Sequence, residues 1–235
     1  MASMIGREFL NVEGRRIAVV RSLADAEHIV VMCHGLHSNL GGDHFDVLQT
    51  RLGALNIGVL RFDQYGNGRS EGLPIERRFR DWVSLTLHLV HWLHADGHRV
   101  SVLGNSIGGS TALVTASIER RLHRCVAWVP GLGTVPQRQP GERDFIERGE
   151  RMEWEFWQQY QEVDVIERLR RLSVPTLVLL ATEDEHEDSR TRAAAMAAQG
   201  PNLSVEWLVG FTHGRWNDGQ AMSVVARTTA FLSGS

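Results

Sequence analysis

Six short strand-like runs punctuate this chain, and the patterns between them dictate a layered α/β fold. The runs are His28–Cys33, Ile57–Phe62, Val100–Leu103, Cys125–Val129, Thr176–Ala181 and Leu203–Val209. Most are continuously apolar and rich in β-branched residues, as strands covered on both faces must be. The intervening stretches switch to helical spacing. Asp43–Leu55 repeats Phe45, Leu48, Leu52 and Leu55, and Glu76–Ala95 carries an amphipathic pattern. A small-residue helix is expected over Ile107 to Arg120, an alanine-rich one over Asp188–Gln199, and a closing one over Gly219–Leu232. Before the first run, Glu8–Val12 and Arg16–Arg21 alternate apolar and polar around a Glu13-Gly14 turn, which predicts a hairpin. A hairpin followed by alternating strands and helices implies a mostly parallel twisted sheet with an antiparallel start and helices on both faces.

The alternation breaks once. Gly131–Gly141 is a Gly/Pro-rich loop, and Arg143–Leu172 is charged, aromatic and expected to be helical without a strand. Residues 131–172 therefore read as a small cap inserted into a core made of residues 1–130 and 173–235.

With 235 residues and 43% hydrophobic content, the chain is large enough for one well-buried α/β domain. A formal net charge of -3 removes the basic field that nucleic-acid binding needs. No apolar run approaches the roughly 18 residues that cross a bilayer, so no integral membrane segment is expected. Met1 to Leu10 lacks the apolar stretch of a secretory leader. The two cysteines, Cys33 and Cys125, lie in apolar runs, which favours free thiols and a reducing, cytoplasmic setting over a disulfide framework. All 25 basic residues are arginine. Without an internal lysine there is no Schiff-base chemistry and no P-loop lysine. No cofactor or metal is implied, and oligomeric state is left open.

The chemistry-bearing motif is Gly104-Asn105-Ser106-Ile107-Gly108, a G-x-S-x-G between an expected strand and an expected helix. A sharp turn there lifts the serine above the sheet edge, and flanking Cβ atoms would collide with the turn or its neighbours. A serine hydroxyl needs a base. Of the 11 histidines, His213 is best placed, in the loop between the last strand and the last helix. That loop opens on the same carboxyl edge as Ser106. A carboxylate must in turn orient the base. The strand Thr176–Ala181 runs into an acidic turn, where Asp184 is the choice and Glu183, Glu185, Glu187 and Asp188 are rivals.

The chain order serine, acid, histidine resembles the α/β-hydrolase superfamily, near the serine-aminopeptidase-like and cinnamoyl-esterase-like hydrolases with small caps. The resemblance covers roughly Glu8 to Leu232. His34-Gly35-Leu36 resembles the family's oxyanion loop, Asp63-Gln64-Tyr65-Gly66-Asn67-Gly68-Arg69-Ser70 its D-x-x-G-x-G-x-S turn, and Val174-Pro175-Thr176-Leu177 its lead-in to the strand before the acid. The resemblance implies backbone N–H groups of Leu36 and Ile107 as the oxyanion hole, and a structural role for Asp63. The residue before the nucleophile is often histidine in the family and is Asn105 here. Gly-Asn-Ser-x-Gly-Gly also resembles carbon–carbon bond hydrolases of ring-fission diketones.

The expected activity is a serine esterase or thioesterase acting on a small or medium acyl substrate. The competing readings are diketone hydrolysis and a non-catalytic ligand-binding member of the fold. In the cap, Trp154 and Trp157 are candidates for substrate contact, with simple packing as the other reading. Arg138, Arg143, Arg148 and Arg151 suggest either a substrate carboxylate or phosphate or, in preference, surface pairing with Glu142, Glu147, Glu150 and Glu153 at helical spacings. The histidine sets 88/91/94 and 34/37/44 are weak metal signals. Three-residue steps drift about 60° around a helix, and a loop role suffices for the second set.

Overall fold

The structure is a computed structural model that describes residues 7–42 and 44–234. Its main sheet has eight strands: β1 (Arg7–Val12), β2 (Arg15–Ser22), β3 (His28–Cys33), β4 (Ile57–Phe62), β5 (Arg99–Asn105), β6 (Cys125–Trp128), β9 (Thr176–Ala181) and β10 (Leu203–Leu208). The spatial order is β1-β2-β4-β3-β5-β6-β9-β10. The β1–β2 and β2–β4 pairings are antiparallel and the rest parallel. The β1–β2 turn falls on Glu13 and Gly14, both with positive φ (51° and 83°), the type I′ geometry that matches strand twist.

Strand residues divide by parity between two cores, as a period of two requires. Val31, Cys33, Val100, Val102, Val178 and Leu180 face one side, with α2 (Phe79–Ala95), α3 (Ile107–Ile118) and part of the insertion packed on them. Val30, Met32, Leu103, Val126, Leu177 and Leu179 face the other, under α1 (Phe45–Gly53) and α7 (Asp218–Ser233). The helix expected to begin at Asp43 starts at Phe45, and Asp43 itself lies outside the described residues. α6 (Ser189–Ala197) starts at the Asp188 cap, whose carboxylate accepts from the Thr191 N–H; α7 starts at a capping box of Asn217 and Gln220.

The insertion between β6 and β9 differs from the all-helical expectation. It contains a β-hairpin, β7 (Asp144–Glu147) and β8 (Glu150–Glu153), before α4 (Glu155–Val163) and α5 (Val165–Leu169). Arg148 and Gly149 both take positive φ (50° and 79°) at its tip. That turn overrides the helical charge spacing. The acids pair across the hairpin or with other parts of the chain: Arg151 meets Asp144, and Arg77 and His37 meet Glu150.

The chain runs from β3 to β4 on one side and then crosses to β5 on the other. The crevice at the carboxyl ends of β3 and β5 is thus a topological switch point, where such sheets hold ligands.

Candidate active site

Five loops converge at that edge: those after β3, β5, β6, β9 and β10. Ser106 sits between β5 and α3 with φ 55° and ψ -126°, a conformation that L-residues rarely adopt. The glycines around it are sterically required. A Cβ on Gly104 would lie 2.0 Å from the Gly108 carbonyl oxygen, and one on Gly108 would lie 2.2 Å from that of Cys33. The sharp turn therefore exists because two backbones approach too closely for any side chain, and it leaves the serine hydroxyl projecting into the cleft.

Ser106 Oγ lies 2.7 Å from His213 Nε2. On the other side of the ring, Nδ1 lies 3.0 Å from each carboxylate oxygen of Asp184. A carboxylate only accepts, so Nδ1 carries the proton and Nε2 is left to accept from the serine. Asp184 also accepts from the backbone N–H groups of His186 (2.9 Å) and Glu187 (3.2 Å). Burial works against its charge, but the His213 hydrogen bond and charge, with those two N–H donors, hold the carboxyl below its ordinary range.

The rival acids are each engaged elsewhere or turned away. Glu185 accepts the backbone N–H of His213, Asp188 caps α6, and Glu183 is exposed. Glu187 is buried and takes hydrogen bonds from Leu132 N–H, Thr134 Oγ1 and Thr191 Oγ1, so it joins the acid loop to the Gly131–Thr134 wall of the cleft. Burial pushes its carboxyl up.

Leu36 and Ile107 line the same cleft as Ser106. Among the described residues no acceptor meets their backbone N–H groups, so both donors remain available. The loop carrying Leu36 is braced from beneath. His34 is fully buried; its Nε2 accepts from Gln64 N–H at 3.0 Å, which leaves Nδ1 to donate to the Gly35 carbonyl at 2.7 Å. Asn67 donates to the carbonyls of Leu36 and Ser38. Asp63 accepts from the Leu40 and Arg69 N–H groups, within the loops and away from His213.

The cleft has a volume of about 710 Å³. Its apolar lining includes Val135, Phe145, Ile146, Trp157 and Trp216. Trp157 faces the cleft; Trp154 does not line it and packs against Phe145 in the core. Of the four cap arginines weighed as substrate contacts, Arg148 lines the cleft; sequence patterning did not reveal the hairpin residues Phe145 to Glu147 there, nor His44 and Trp216, which stack at 5.8 Å with an interplanar angle of 8°. The histidines at 88, 91 and 94 have separate neighbours: Glu13, Glu119 and the His98 carbonyl.

The model of the alpha/beta hydrolase family matches residues 30–229. The chain belongs to the alpha/beta hydrolase family. Membership supports hydrolytic chemistry at this edge. Among solved structures, ferulic-acid-bound Est1E from Butyrivibrio proteoclasticus superposes with a TM-score of 0.83 at 18% identity, covering 96% of this chain and 97% of that one. The thioesterase domain from the curacin biosynthetic pathway superposes with a TM-score of 0.67 at 15% identity, covering 98% and 99%. At such identities the likeness is one of fold. A lysophosphatidylserine lipase, ABHD12, from Macaca fascicularis is 32% identical over 105 residues, which are 44% of this chain and 25% of that protein. The chain thus aligns with only about a quarter of that relative's length. Among the described residues, no helix of this hydrolase is long and apolar enough to cross a membrane.

Proposed function

We propose that this hydrolase cleaves a carboxylic ester or thioester through an acyl-enzyme formed on Ser106. The single observation that carries the reading is the 2.7 Å approach of Ser106 Oγ to His213 Nε2. In this reading His213 takes the hydroxyl proton as Ser106 attacks the carbonyl carbon. The carbonyl oxygen becomes an oxyanion facing the N–H groups of Leu36 and Ile107, each worth a few kcal/mol of barrier. Collapse expels the alcohol or thiol, which takes the proton from His213. Water then attacks the acyl-enzyme by the same route, and the acid leaves. Asp184 holds the imidazole tautomer and stabilises the imidazolium.

The size and apolar lining of the cleft support a small or medium acyl substrate, with Trp157 as a contact. Est1E with ferulic acid and the curacin thioesterase domain share the fold, and so support both ester and thioester as leaving classes to be tried. The buried free cysteines Cys33 and Cys125 fit a reducing compartment such as the cytoplasm.

The test is a panel of p-nitrophenyl esters and acyl thioesters on wild type beside Ser106→Ala, with fluorophosphonate labelling. Turnover and labelling that both vanish in the variant support the reading. Folded wild-type protein that neither labels nor turns over would favour a non-catalytic ligand binder. A second reading is carbon–carbon hydrolysis of a diketone. It is favoured by Asn105, which lines the cleft beside Ser106 and whose buried Oδ1 has no partner among the described residues. A vinylogous diketone in the same panel separates the two.

A further inference from the structure

Among the described residues, the charged side chains that line the cleft, apart from its histidines, are Glu147, Arg148, Glu185 and Glu187. All three carboxylates are engaged. Glu147 meets His37 Nε2 at 2.9 Å, Glu185 accepts the His213 N–H, and Glu187 accepts three hydrogen bonds. Arg148 has no hydrogen-bond or ion-pair partner among the described residues. Among the described residues its guanidinium is therefore the one permanent cation of the cleft with free donors.

The position of Arg148 is built. It sits at the tip of the β7–β8 hairpin, and the residues on either side of the turn, Glu147 and Glu150, are both held by His37. Glu150 is also held at 2.6 Å by Arg77, which is 1% exposed and donates to the Gly66 carbonyl as well. The hairpin tip is thus moored to the loop that follows Leu36. Meanwhile Glu185 and Glu187 lie on the acid loop next to Asp184. An anionic substituent would be repelled there, whereas at the hairpin Glu147 is paired with His37 and the neighbouring Arg148 offers a permanent positive charge.

We infer that Arg148 selects acyl substrates bearing a carboxylate or another anionic group remote from the scissile bond. The inference rests on the ester reading above and adds a substrate class to it. A guanidinium offers paired donors that match a carboxylate or phosphate in a way no neutral group in the cleft does.

The experiment compares two p-nitrophenyl esters of equal chain length: the pentanoate, and the glutarate monoester with its free carboxylate. The readout is the ratio of kcat/KM for the anionic over the neutral ester. In Arg148→Asn the ratio should fall about tenfold, chiefly through KM of the anionic ester. Asparagine suits a positive-φ turn position, so the hairpin should survive the change. Arg143→Asn is the control, an exposed arginine that does not line the cleft, and it should leave the ratio unmoved. Raising the ionic strength should lower the wild-type ratio. Turnover of both esters with the same ratio in wild type and Arg148→Asn would overturn the role of Arg148 alone. No turnover of either ester by wild type would overturn the ester reading, and this inference with it.

Discussion

Asn67 donates its side-chain amide to the carbonyl oxygen of Leu36 at 2.8 Å. The bond holds the Leu36–His37 peptide, next along the chain to the Gly35–Leu36 peptide whose N–H is proposed to receive the oxyanion. The same amide reaches the Ser38 carbonyl at 3.2 Å, and Asn67 is 4% exposed, so water cannot readily replace it. Asn67→Ala should therefore lower kcat by about 10- to 100-fold, less than outright loss of an oxyanion donor. KM should change little, and stability should drop by about 1–3 kcal/mol from the orphaned carbonyls. Steady-state kinetics with a urea melt on the same sample checks both. A fall confined to stability would show that the brace serves only the fold.

The backbone of Ser106 is strained at φ 55° and ψ -126°. Glycine occupies such a region without the Cβ penalty, which is about 1–3 kcal/mol. Ser106→Gly should thus melt a few degrees above Ser106→Ala. Both should be inactive. Calorimetry on the two variants decides the matter. A lower melting temperature for the glycine variant would mean that the turn is relaxed and that the conformation costs nothing.

The ionised carboxyl of Asp184 gives a prediction in both activity and pH. Asp184→Asn should reduce kcat by about ten-thousand-fold, because an amide cannot hold the protonated Nδ1 tautomer. Glu185→Gln should cost under about tenfold, since Glu185 bonds the backbone N–H of His213 and not its ring. The linkage sign follows from the lowered carboxyl of Asp184 in the folded state. Its contribution to stability is present above the unfolded value of about 3.9 and is lost as pH falls through the folded value. The stability gap between wild type and Asp184→Asn should therefore shrink in acid. Urea unfolding at several acidic pH values tests this, and a gap that stays constant would contradict it.

The strands of the main sheet in chain order, and the tight turn that carries Ser106, were legible because their signals are local. A fully buried strand needs a continuous apolar run, and a tight strand-to-helix turn needs glycines at fixed offsets. That His213 shares an edge with Ser106 was legible from its place after the last strand. Asp184 was harder to separate from its neighbours. Five acids share one turn, and only the folded loop assigns one to His213, one to the His213 N–H, one to Thr134 and one to the α6 cap. The β7–β8 hairpin was not legible as strand. Its strands are four residues each, and its charges follow helical spacing as well as they follow cross-strand pairing. The Arg148-Gly149 turn was the available signal. The ties that hold the hairpin, to His37 and Arg77, come from sites far away in the chain.

His28 stands at the opposite, amino-terminal edge of the sheet and supplies a pH response independent of the cleft. It is 3% exposed, with Nε2 at 2.8 Å from Ser101 Oγ and the ring edge-on to His123 at 5.1 Å. Burial, with the nearby charges of His123, Arg99 and Arg124, lowers its folded pKa to about 4. The unfolded chain then binds a proton that the folded chain refuses between about pH 6.5 and about pH 4. Stability is full above that window and falls as pH drops through it, by at most about 3 kcal/mol. Below it the loss levels off. His28→Gln removes the titrating group while keeping a side chain that can reach Ser101. Its unfolding free energy should be flatter than that of wild type across the window, with wild type the more stable at neutral pH. Chemical denaturation at matched ionic strength, stepped through the window, measures the two slopes. Parallel curves would mean that His28 takes its proton in the folded state and that the burial of this edge is looser than its hydrogen bonding implies.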